Sequence, residues 1–263
     1  IEYAKESDTQ VIVDIDYRPV LWGLTELGDG ESRFVASNDV SLHLQTILPY
    51  CDVIVGTEEE IHIAGGSEDT ITALSKIRLL SNSIIVLKLG PLGCTVITSD
   101  IPNSIDDFNV VKGNPVDILN VLGAGDAFMS GFLRGYLRGE SLEKSANYAN
   151  ASGALVVSRH GCAPAIPGEN ELLYYIENAA NIPDPTSDIT LNHLHRVSFR
   201  SKEEQEVFGF AFDHRKQLTD LAEMYGEDIS KITELKKLFI RSVENSKEKL
   251  NIPEKNIGVL IDD

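Results

Sequence analysis

The sequence predicts an α/β protein built around a largely parallel sheet. Runs of strand length that are rich in valine and isoleucine alternate with amphipathic segments of helical period. These runs are apolar on both faces, as in strands that helices cover on either side. With 42% hydrophobic and 24% charged residues over 263 positions, the composition is that of an ordinary soluble globular protein. The length allows one large domain, or one medium domain and part of another.

Strands and helices alternate along the first 180 residues. Buried strands are predicted at 10–16, 51–56 and 83–90, and a hairpin partner follows a Gly-Pro turn at 93–99. Helices are predicted at about 38–48, 67–80, 124–138, 141–158 and 169–179. Together these elements form the domain that we predict for residues 1–180.

The segment NIPDPTSDIT, residues 181–190, interrupts the alternation. It holds two prolines and little that could pack, so we expect a linker. Beyond it we predict a strand at 207–213, helices near 214–225 and 230–249, and a strand at 257–263. This β-α-β start is too small to bury its own faces, so residues 191–263 are expected to open a second domain whose remainder is absent. The chain starts within a helical pattern and stops on a strand, so both ends look cut.

The net charge of −18 disfavours nucleic acid and anionic membrane surfaces as partners. It is compatible with phosphorylated small molecules, because backbone N–H groups and a few cations can hold an anion on an acidic protein. No apolar run approaches the roughly 18 residues that span a bilayer, and no signal peptide opens the chain. Cys51, Cys94 and Cys162 are scattered without metal-ligand spacing, which indicates buried thiols in a reducing cytoplasm.

A glycine-rich turn in NVLGAGDAFMSGF, residues 120–132, is the strongest candidate for chemistry. Gly123 and Gly125 flank Ala124, and Asp126 opens an apolar helix whose amino end carries unpaired N–H groups. Glycines let such a backbone approach an anion closely, and Asp126 could accept a proton from an attacking hydroxyl. The alternative, which this short pattern alone favours, is a strand-to-helix turn with Asp126 as the helix N-cap.

The longer stretch NVLGAGDAFMSGFLRGYL resembles the C-terminal signature of the PfkB/ribokinase family of sugar kinases. In that family the Gly-Ala-Gly-Asp turn forms an anion hole and its aspartate is the catalytic base. The resemblance implies that Asp126 is the base and that the amides of Gly123, Ala124 and Gly125 face the transferred phosphoryl group. It also implies the C-terminal part of a ribokinase-like three-layer α/β/α sandwich.

The segment DVIVGTEEEIHIAGG, residues 52–66, is similar to a strand and an Asn-x-x-Glu segment of that family. The resemblance implies that Glu59 helps to position magnesium and phosphate, and a carboxylate just past the end of a strand suits such a role. Gly56 stands where the family has asparagine. The alternative is a solvated, acidic helix start.

The segment LKLGPLGC, residues 87–94, resembles the strand and turn that lie under the phosphates and ribose of the nucleotide. The resemblance implies that Lys88, Gly90 and Gly93 line the nucleotide site. A hairpin with no ligand is the alternative.

The segment ANYANASGALVVSRHGCAPAIP, residues 146–167, looks like the helix and loop that close over adenine. The resemblance places Asn150 and Gly153 near the base and Gly161 in the loop. In many relatives this loop also holds a monovalent cation through backbone carbonyls, which makes K⁺ a candidate cofactor. A helix of small residues at a packed interface is the alternative.

The segment DIDYRPVLWG, residues 14–23, resembles kinases of keto-deoxy sugar acids, and in this form the 5-dehydro-2-deoxygluconate kinases of inositol breakdown. Arg18, with Asp16 beside it, could meet a phosphate or a sugar-acid carboxylate through its planar fork. A structural ion pair between Asp14 and Arg18 at the strand end is the alternative.

The region after the linker, LNHLHRVSF...FAFDHRKQL, resembles the start of an aldolase-like β/α barrel fused behind some of these kinases. Active-site residues of barrels follow the strands, so the candidates are Asp213, His214 and Arg215. A helix-capping role for His214 is an equal alternative.

The resemblance implies a cytoplasmic kinase that uses ATP and Mg²⁺ to phosphorylate a sugar acid, with a homo-oligomer left open. Another PfkB sugar kinase, for 2-keto-3-deoxygluconate or fructose, is the second hypothesis, and a nucleotide-binding module without catalysis is the third. The family's N-terminal lid and most of its sugar contacts have no counterpart in the sequence. We therefore expect these 263 residues alone to phosphorylate nothing efficiently.

Overall fold

The computed structural model describes residues 1–25, 34–198, 208–212 and 215–260. The described residues fall into two compact units, one made of 1–25 and 34–198 and the other of 208–212 and 215–260. No helix of the described residues combines the length and the apolar character needed to cross a bilayer.

The first unit is built on a five-stranded sheet in the order β1-β2-β3-β4-β5. The first three strands run parallel, and β4 and β5 each pair antiparallel with the strand before them. The α/β class and the β3–β4 hairpin predicted from the sequence are thus confirmed, whereas the sheet is mixed, with two parallel and two antiparallel pairings, rather than largely parallel. The short β5 escaped prediction because three residues carry no readable alternation. The strands are Ile12–Asp14, Val53–Thr57, Ile84–Lys88, Gly93–Ile97 and Val110–Lys112.

Eight α-helices accompany this sheet within the described residues. The five predicted helices are present with their ends shifted by a few residues, and α3 and α8 are helices not predicted from the sequence. The helices α1 to α8 are Glu2–Glu6, Asn38–Ile47, Glu58–Gly65, Thr70–Leu80, Ala124–Tyr136, Leu142–Val157, Glu169–Asn178 and Ile189–Ser198.

Helices cover both faces of the sheet. On β2, Ile54 packs on one face against residues of α3 and α4 such as Ile61 and Leu74. Its neighbour Val55 points to the other face and packs in the cluster that contains Phe132 of α5 and residues of α6. Because successive strand residues point to opposite faces, the two clusters form the two interfaces of a three-layer α/β/α sandwich.

The helices α5 and α6 lie unusually close together. A Cβ atom on Gly131 would stand 2.5 Å from the carbonyl oxygen of Tyr148, so only glycine permits this approach. The contact fixes the middle of α5 against α6.

The segment 181–190 packs in part on the first unit, in contrast to the loosely packed linker that the sequence predicts. Ile182 is buried and joins a core cluster with Leu172 and Tyr175 of α7. Leu191 of α8 is fully buried in the same cluster. The prolines of this segment thus redirect the chain without taking it off the first unit, and their apolar neighbour Ile182 supplies the anchor.

The second unit contains the predicted β-α-α-β pattern. Strands β6, Phe208–Ala211, and β7, Ile257–Leu260, pair in parallel. Helices α9, Arg215–Met224, and α10, Ser230–Leu250, lie between them in sequence. Phe210, Phe212 and Phe239 pack ring against ring. Of the candidates expected here, Asp213 and His214 lie outside the described residues, and Arg215 begins α9.

Candidate functional site

A lysine between two carboxylates marks the carboxyl edge of the parallel strands. Lys88 ends β3, and its Nζ donates to Oδ1 of Asp14, the last residue of β1, at 2.9 Å. The same Nζ lies 3.6 Å from Oε2 of Glu60 at the start of α3. The three side chains are between 13% and 23% exposed. We call Lys88, Asp14 and Glu60 the open cluster.

Burial changes the acidity of Asp14. It raises the pKa of the Asp14 carboxyl above its usual 3.8, and the opposing effect of Lys88 is smaller. The edge of the sheet is therefore a place of reduced polarity, where charges interact more strongly than in water.

The residue of α3 that faces this cluster is Glu60, although the resemblance points to Glu59. Thr57 and Glu60 form a capping box: the Thr57 N–H donates to Glu60 Oε2 at 2.7 Å and the Glu60 N–H to Thr57 Oγ1 at 3.3 Å. Glu59 is exposed and has no polar partner among the described residues. The Thr-x-x-Glu pattern at 57–60 is the sequence signal that identifies Glu60.

Gly56, which stands at the family's asparagine position, has no space for a side chain. A Cβ atom there would lie 2.9 Å from Ile15 Cδ1 and 3.3 Å from Glu60 Cβ. The absence of a side chain thus brings β1 and Glu60 together.

The Gly-Ala-Gly-Asp turn starts α5 without a side-chain cap. Gly123 is the N-cap residue, with φ +80°, and no side chain accepts from the first turn there. Any Cβ at Gly123 would also collide with Cys162 Sγ. Asp126 is the third residue of α5, so the alternative of Asp126 as the N-cap is wrong.

The turn lies against the open cluster. A Cβ atom on Gly125 would stand 3.9 Å from both Asp14 Oδ2 and Lys88 Nζ. Asp126 is exposed, and among the described residues its carboxylate has no hydrogen-bond or ion-pair partner. The positive end of α5, a largely buried lysine and an unused carboxylate therefore meet at one edge of the sheet.

The hairpin glycines have different surroundings. Gly90 is exposed with φ +57°, and a Cβ atom there would meet nothing within 4 Å. Gly93 is buried with φ +108°, and a Cβ atom there would collide with the Val111 carbonyl. Gly93 is thus needed for the close pairing of β4 with β5, and Gly90 leaves an open surface beside Lys88.

Asn150 and Gly153 take part in packing. The Asn150 amide is buried and donates to the carbonyls of Val111 and Lys112 at 2.9 and 3.2 Å, which holds α6 to β5. A Cβ atom on Gly153 would lie 3.8 Å from the Ala124 carbonyl. Their roles near a nucleotide base stay a prediction.

Arg18 and Asp16 pair with each other at the surface. The two groups are 2.8 Å apart, and their side chains are 47% and 62% exposed. The alternative of a structural ion pair between Asp14 and Arg18 is therefore wrong, since Asp14 pairs with Lys88. An exposed pair of this kind contributes little stability, which leaves Arg18 able to exchange its partner for a ligand anion.

No group of three His, Cys, Asp or Glu side chains in the described parts of the chain could hold a metal ion. Magnesium that accompanies a nucleotide takes one or two carboxylates and the phosphates rather than a cage of protein ligands. The carboxylates of Glu60 and Asp14 beside Lys88 fit that donor set.

Two family models match the chain. One is the pfkB family of carbohydrate kinases, over residues 33–168. The other describes an uncharacterized protein conserved in bacteria (DUF2090), over residues 171–263.

Curated relatives cover the first part of the chain. The chain is 30% identical over 183 residues to the 5-dehydro-2-deoxygluconokinase of Clostridium tetani. The matched region is 67% of this chain and 49% of that protein. The chain is 29% identical over 184 residues to the enzyme of the same name from Listeria innocua, covering 68% and 50%. The chain thus spans about half the length of these relatives.

Solved structures show the same fold. An aminoimidazole riboside kinase from Salmonella enterica, complexed with aminoimidazole riboside and an ATP analog, matches with a TM-score of 0.52 at 21% identity over 66% of this chain and 54% of its own. A putative Ribokinase II from E. coli in complex with ATP and Mg²⁺ gives 0.52 at 21% identity, over 66% and 50%. The first unit has the ribokinase-like fold, and the chain belongs to the PfkB family of carbohydrate kinases.

Proposed function

We propose that residues 1–180 form the nucleotide-binding half of an ATP-dependent sugar kinase in which Asp126 is the catalytic base. One observation carries this proposal: Asp126 is exposed and has no polar partner among the described residues, on the first turn of a helix whose amino end adjoins Lys88. The exposed Glu59 also lacks a polar partner, and what sets Asp126 apart is the turn before it: a Cβ atom on Gly125 would lie 3.9 Å from Lys88 Nζ.

The chemistry follows from these positions. Asp126 accepts the proton of the sugar hydroxyl, whose oxygen attacks the γ-phosphorus of ATP. The N–H groups of Gly123 and Gly125 and the Lys88 ammonium stabilise the negative charge that develops on the phosphoryl oxygens. The Ala124 N–H donates to the Val121 carbonyl at 3.2 Å in this structure and would have to exchange that partner to join them. When bound, Mg²⁺ would neutralise phosphate charge, and Glu60 would take the positioning role that the resemblance gave to Glu59.

The substrate that we propose is 5-dehydro-2-deoxygluconate, phosphorylated on its terminal hydroxyl in inositol breakdown. Two relatives that carry this activity in their names support it. The exposed Arg18, four residues after Asp14, supports it too, since its only side-chain partner among the described residues is the surface Asp16 and a guanidinium suits a sugar-acid carboxylate. The predicted boundary at residue 191 falls inside α8, which belongs to the first unit. The second unit would therefore begin the aldolase-like domain that acts on the phosphorylated product.

A cytoplasmic location is part of the proposal. Cys51, Cys94 and Cys162 are all free thiols, as in a reducing compartment.

A thermal melt of this chain with and without Mg-ATP tests the nucleotide site. Ligand at about 100 times its dissociation constant adds about 2.7 kcal/mol of stability, and we expect a rise of a few degrees. Lys88→Met should abolish the rise, whereas the exposed Lys76→Met should retain it. A cooperative melt that ATP does not move would contradict the proposal.

The substrate is tested separately by ADP release in the complete kinase. We expect turnover with 5-dehydro-2-deoxygluconate to exceed turnover with 2-keto-3-deoxygluconate and fructose. Preference for either of the latter sugars would reject the substrate while leaving the kinase assignment intact.

A further inference from the structure

One side chain joins the Gly-Ala-Gly-Asp turn to the loop after α6. The Asn120 Oδ1 accepts from the Leu122 N–H at 2.9 Å, and the Asn120 Nδ2 donates to the Gly161 carbonyl at 2.7 Å. Both the acceptor and a donor of one amide are therefore engaged, across 41 residues of sequence.

The same two segments touch a second time. Cys162, the residue after Gly161, places its Sγ where a side chain on Gly123 would stand. The backbone N–H groups of Leu119 and Asn120 also donate to the Val157 carbonyl near the end of α6, at 2.8 and 3.2 Å. The position of the turn thus depends on the loop, and Asn120 is the side chain that connects them.

This arrangement bears on the monovalent cation expected at the loop carbonyls. A cation between the turn and the loop would need free carbonyl oxygens facing it. The Gly161 oxygen instead accepts from the Asn120 N–H group, whose partial positive charge repels a cation on that side of the oxygen. The residues present do not fit a cation held between Asn120 and the Gly161 carbonyl.

We propose that Asn120 is a positioning residue that does the work of such a cation, so that the turn binds phosphate without K⁺. The proposal rests on the proposed function for its ligand, but the clamp itself is independent of any nucleotide. The neutral Asn120 amide donates to the loop and accepts from the turn. No ion is needed between the two segments to hold them together.

Asn120→Asp gives the sharpest test. The aspartate can still accept from Leu122, but its second oxygen would face the Gly161 carbonyl with no hydrogen between them. Two oxygens that face each other repel, and a cation between them would relieve that repulsion. In the wild-type protein the Asn120 N–H group makes such a cation unnecessary. The variant should therefore become dependent on K⁺, whereas Asn120→Ala should lose the clamp whatever the salt.

Alkylation of Cys162 by iodoacetamide reports the clamp. Burial raises the pKa of Cys94 to about 12 and also raises the pKa of Cys51, so the other thiols react slowly. Mass spectrometry then follows Cys162 in potassium chloride and in choline chloride of equal ionic strength. Asn82→Asp, at an exposed asparagine outside the turn and the loop, controls for the added charge.

We expect the wild-type rate to be equal in the two salts. Asn120→Asp should react about tenfold faster in choline, the effect of one lost hydrogen bond, and return to the wild-type rate in K⁺. Asn120→Ala should react fast in both. Protection of wild-type Cys162 by K⁺, or a wild-type rate in Asn120→Ala, would overturn the proposal.

Calorimetry of Mg-ATP binding distinguishes a failure of the Asn120 clamp from a failure of the proposed function. The wild-type Kd should be the same in both salts, and that of Asn120→Asp should recover in K⁺. If no protein binds ATP while the alkylation pattern holds, the proposed function fails and the Asn120 clamp stands. A wild-type Kd that improves several-fold in K⁺ would contradict the cation-free turn.

Discussion

Two charged clusters of the first unit differ in how fully their groups are satisfied. In the open cluster, Lys88 has one close carboxylate, Asp14, and a second, Glu60, at 3.6 Å. In the other cluster Glu171 is fully buried and accepts from Arg159 and, at 3.3 Å, from the Gly168 N–H. His195 Nδ1 lies 3.1 Å from Glu171 Oε2, the oxygen that the Gly168 N–H also contacts. We call Glu171, Arg159 and His195 the closed cluster.

The difference separates charges that stabilise the fold from charges that await a ligand. The closed cluster ties α7 to the end of α6 and to α8, and its carboxylate has no remaining exposure. The open cluster lies beside the uncapped start of α5, where Asp126 is exposed. Variants in the closed cluster should therefore change stability, and variants around the open cluster should change binding and turnover.

The largest expected effect is that of Asp126→Asn on turnover. Loss of a general base lowers turnover by about 10²- to 10⁴-fold, while ATP affinity and the melting temperature should stay nearly unchanged. ADP release by the complete kinase measures turnover. Glu143→Gln, which removes an exposed charge from the first turn of α6, is the matched control. Activity that survives in Asp126→Asn would show that Asp126 is not the base.

Glu171→Gln should give the largest loss of stability. It leaves the largely buried Arg159 without its carboxylate, and breaking a buried pair in this way costs about 3–5 kcal/mol. Urea unfolding measures the loss. Glu169→Gln, on the same helix but half exposed, should cost far less. Equal losses in the two variants would erase the distinction between the closed cluster and an ordinary surface pair.

Gly123→Ala should damage both stability and ATP binding. A positive φ costs a non-glycine residue about 1–2 kcal/mol, and the collision with Cys162 adds about 1–3 kcal/mol. Gly139→Ala has a φ of +70° and open space, so it isolates the first contribution. Urea unfolding and calorimetry with Mg-ATP compare the two. A Gly123→Ala protein no less stable than Gly139→Ala would mean that the turn does not need the close contact.

Glu60→Gln should weaken Mg-ATP binding about tenfold, because a charge-assisted interaction is lost. Glutamine still completes the capping box at Thr57, so α3 should remain folded. Glu59→Gln should leave the Kd unchanged, since Glu59 points to solvent. The reverse outcome in calorimetry would return the magnesium role to Glu59.

The smallest effect concerns the pH dependence of stability. Burial raises the pKa of Asp14 in the folded chain, so the folded state holds this proton more tightly than the unfolded state does. The resulting stabilisation is present below the usual pKa of 3.8 and is lost as pH rises through the raised value. Asp14→Asn should remove this loss, and urea unfolding from pH 3 to 8 checks it. Identical pH profiles would contradict the direction of the shift.

The strands and helices that position the site were largely predictable from the sequence. Val53–Thr57 and Ile84–Lys88 each begin with three consecutive β-branched residues, and the helix after Gly123 carries aromatic residues at a spacing of four. The ends of strands and the starts of helices depend on residues within a few positions, so the local sequence pattern is enough to predict them. The choice between Glu59 and Glu60 also lay within that range, in the capping box at Thr57, which the family resemblance obscured.

By itself the sequence determined the α/β class, the order of the main elements, and Asp126 at the start of an apolar helix. Only the tertiary structure decided that Asp14 pairs with Lys88, 74 residues away, and that Asn120 holds Gly161. It also decided that Ile182 packs on the first unit. Periodicity reports which face of an element is buried, whereas a pairing between distant side chains depends on which strand ends and loops the fold brings together.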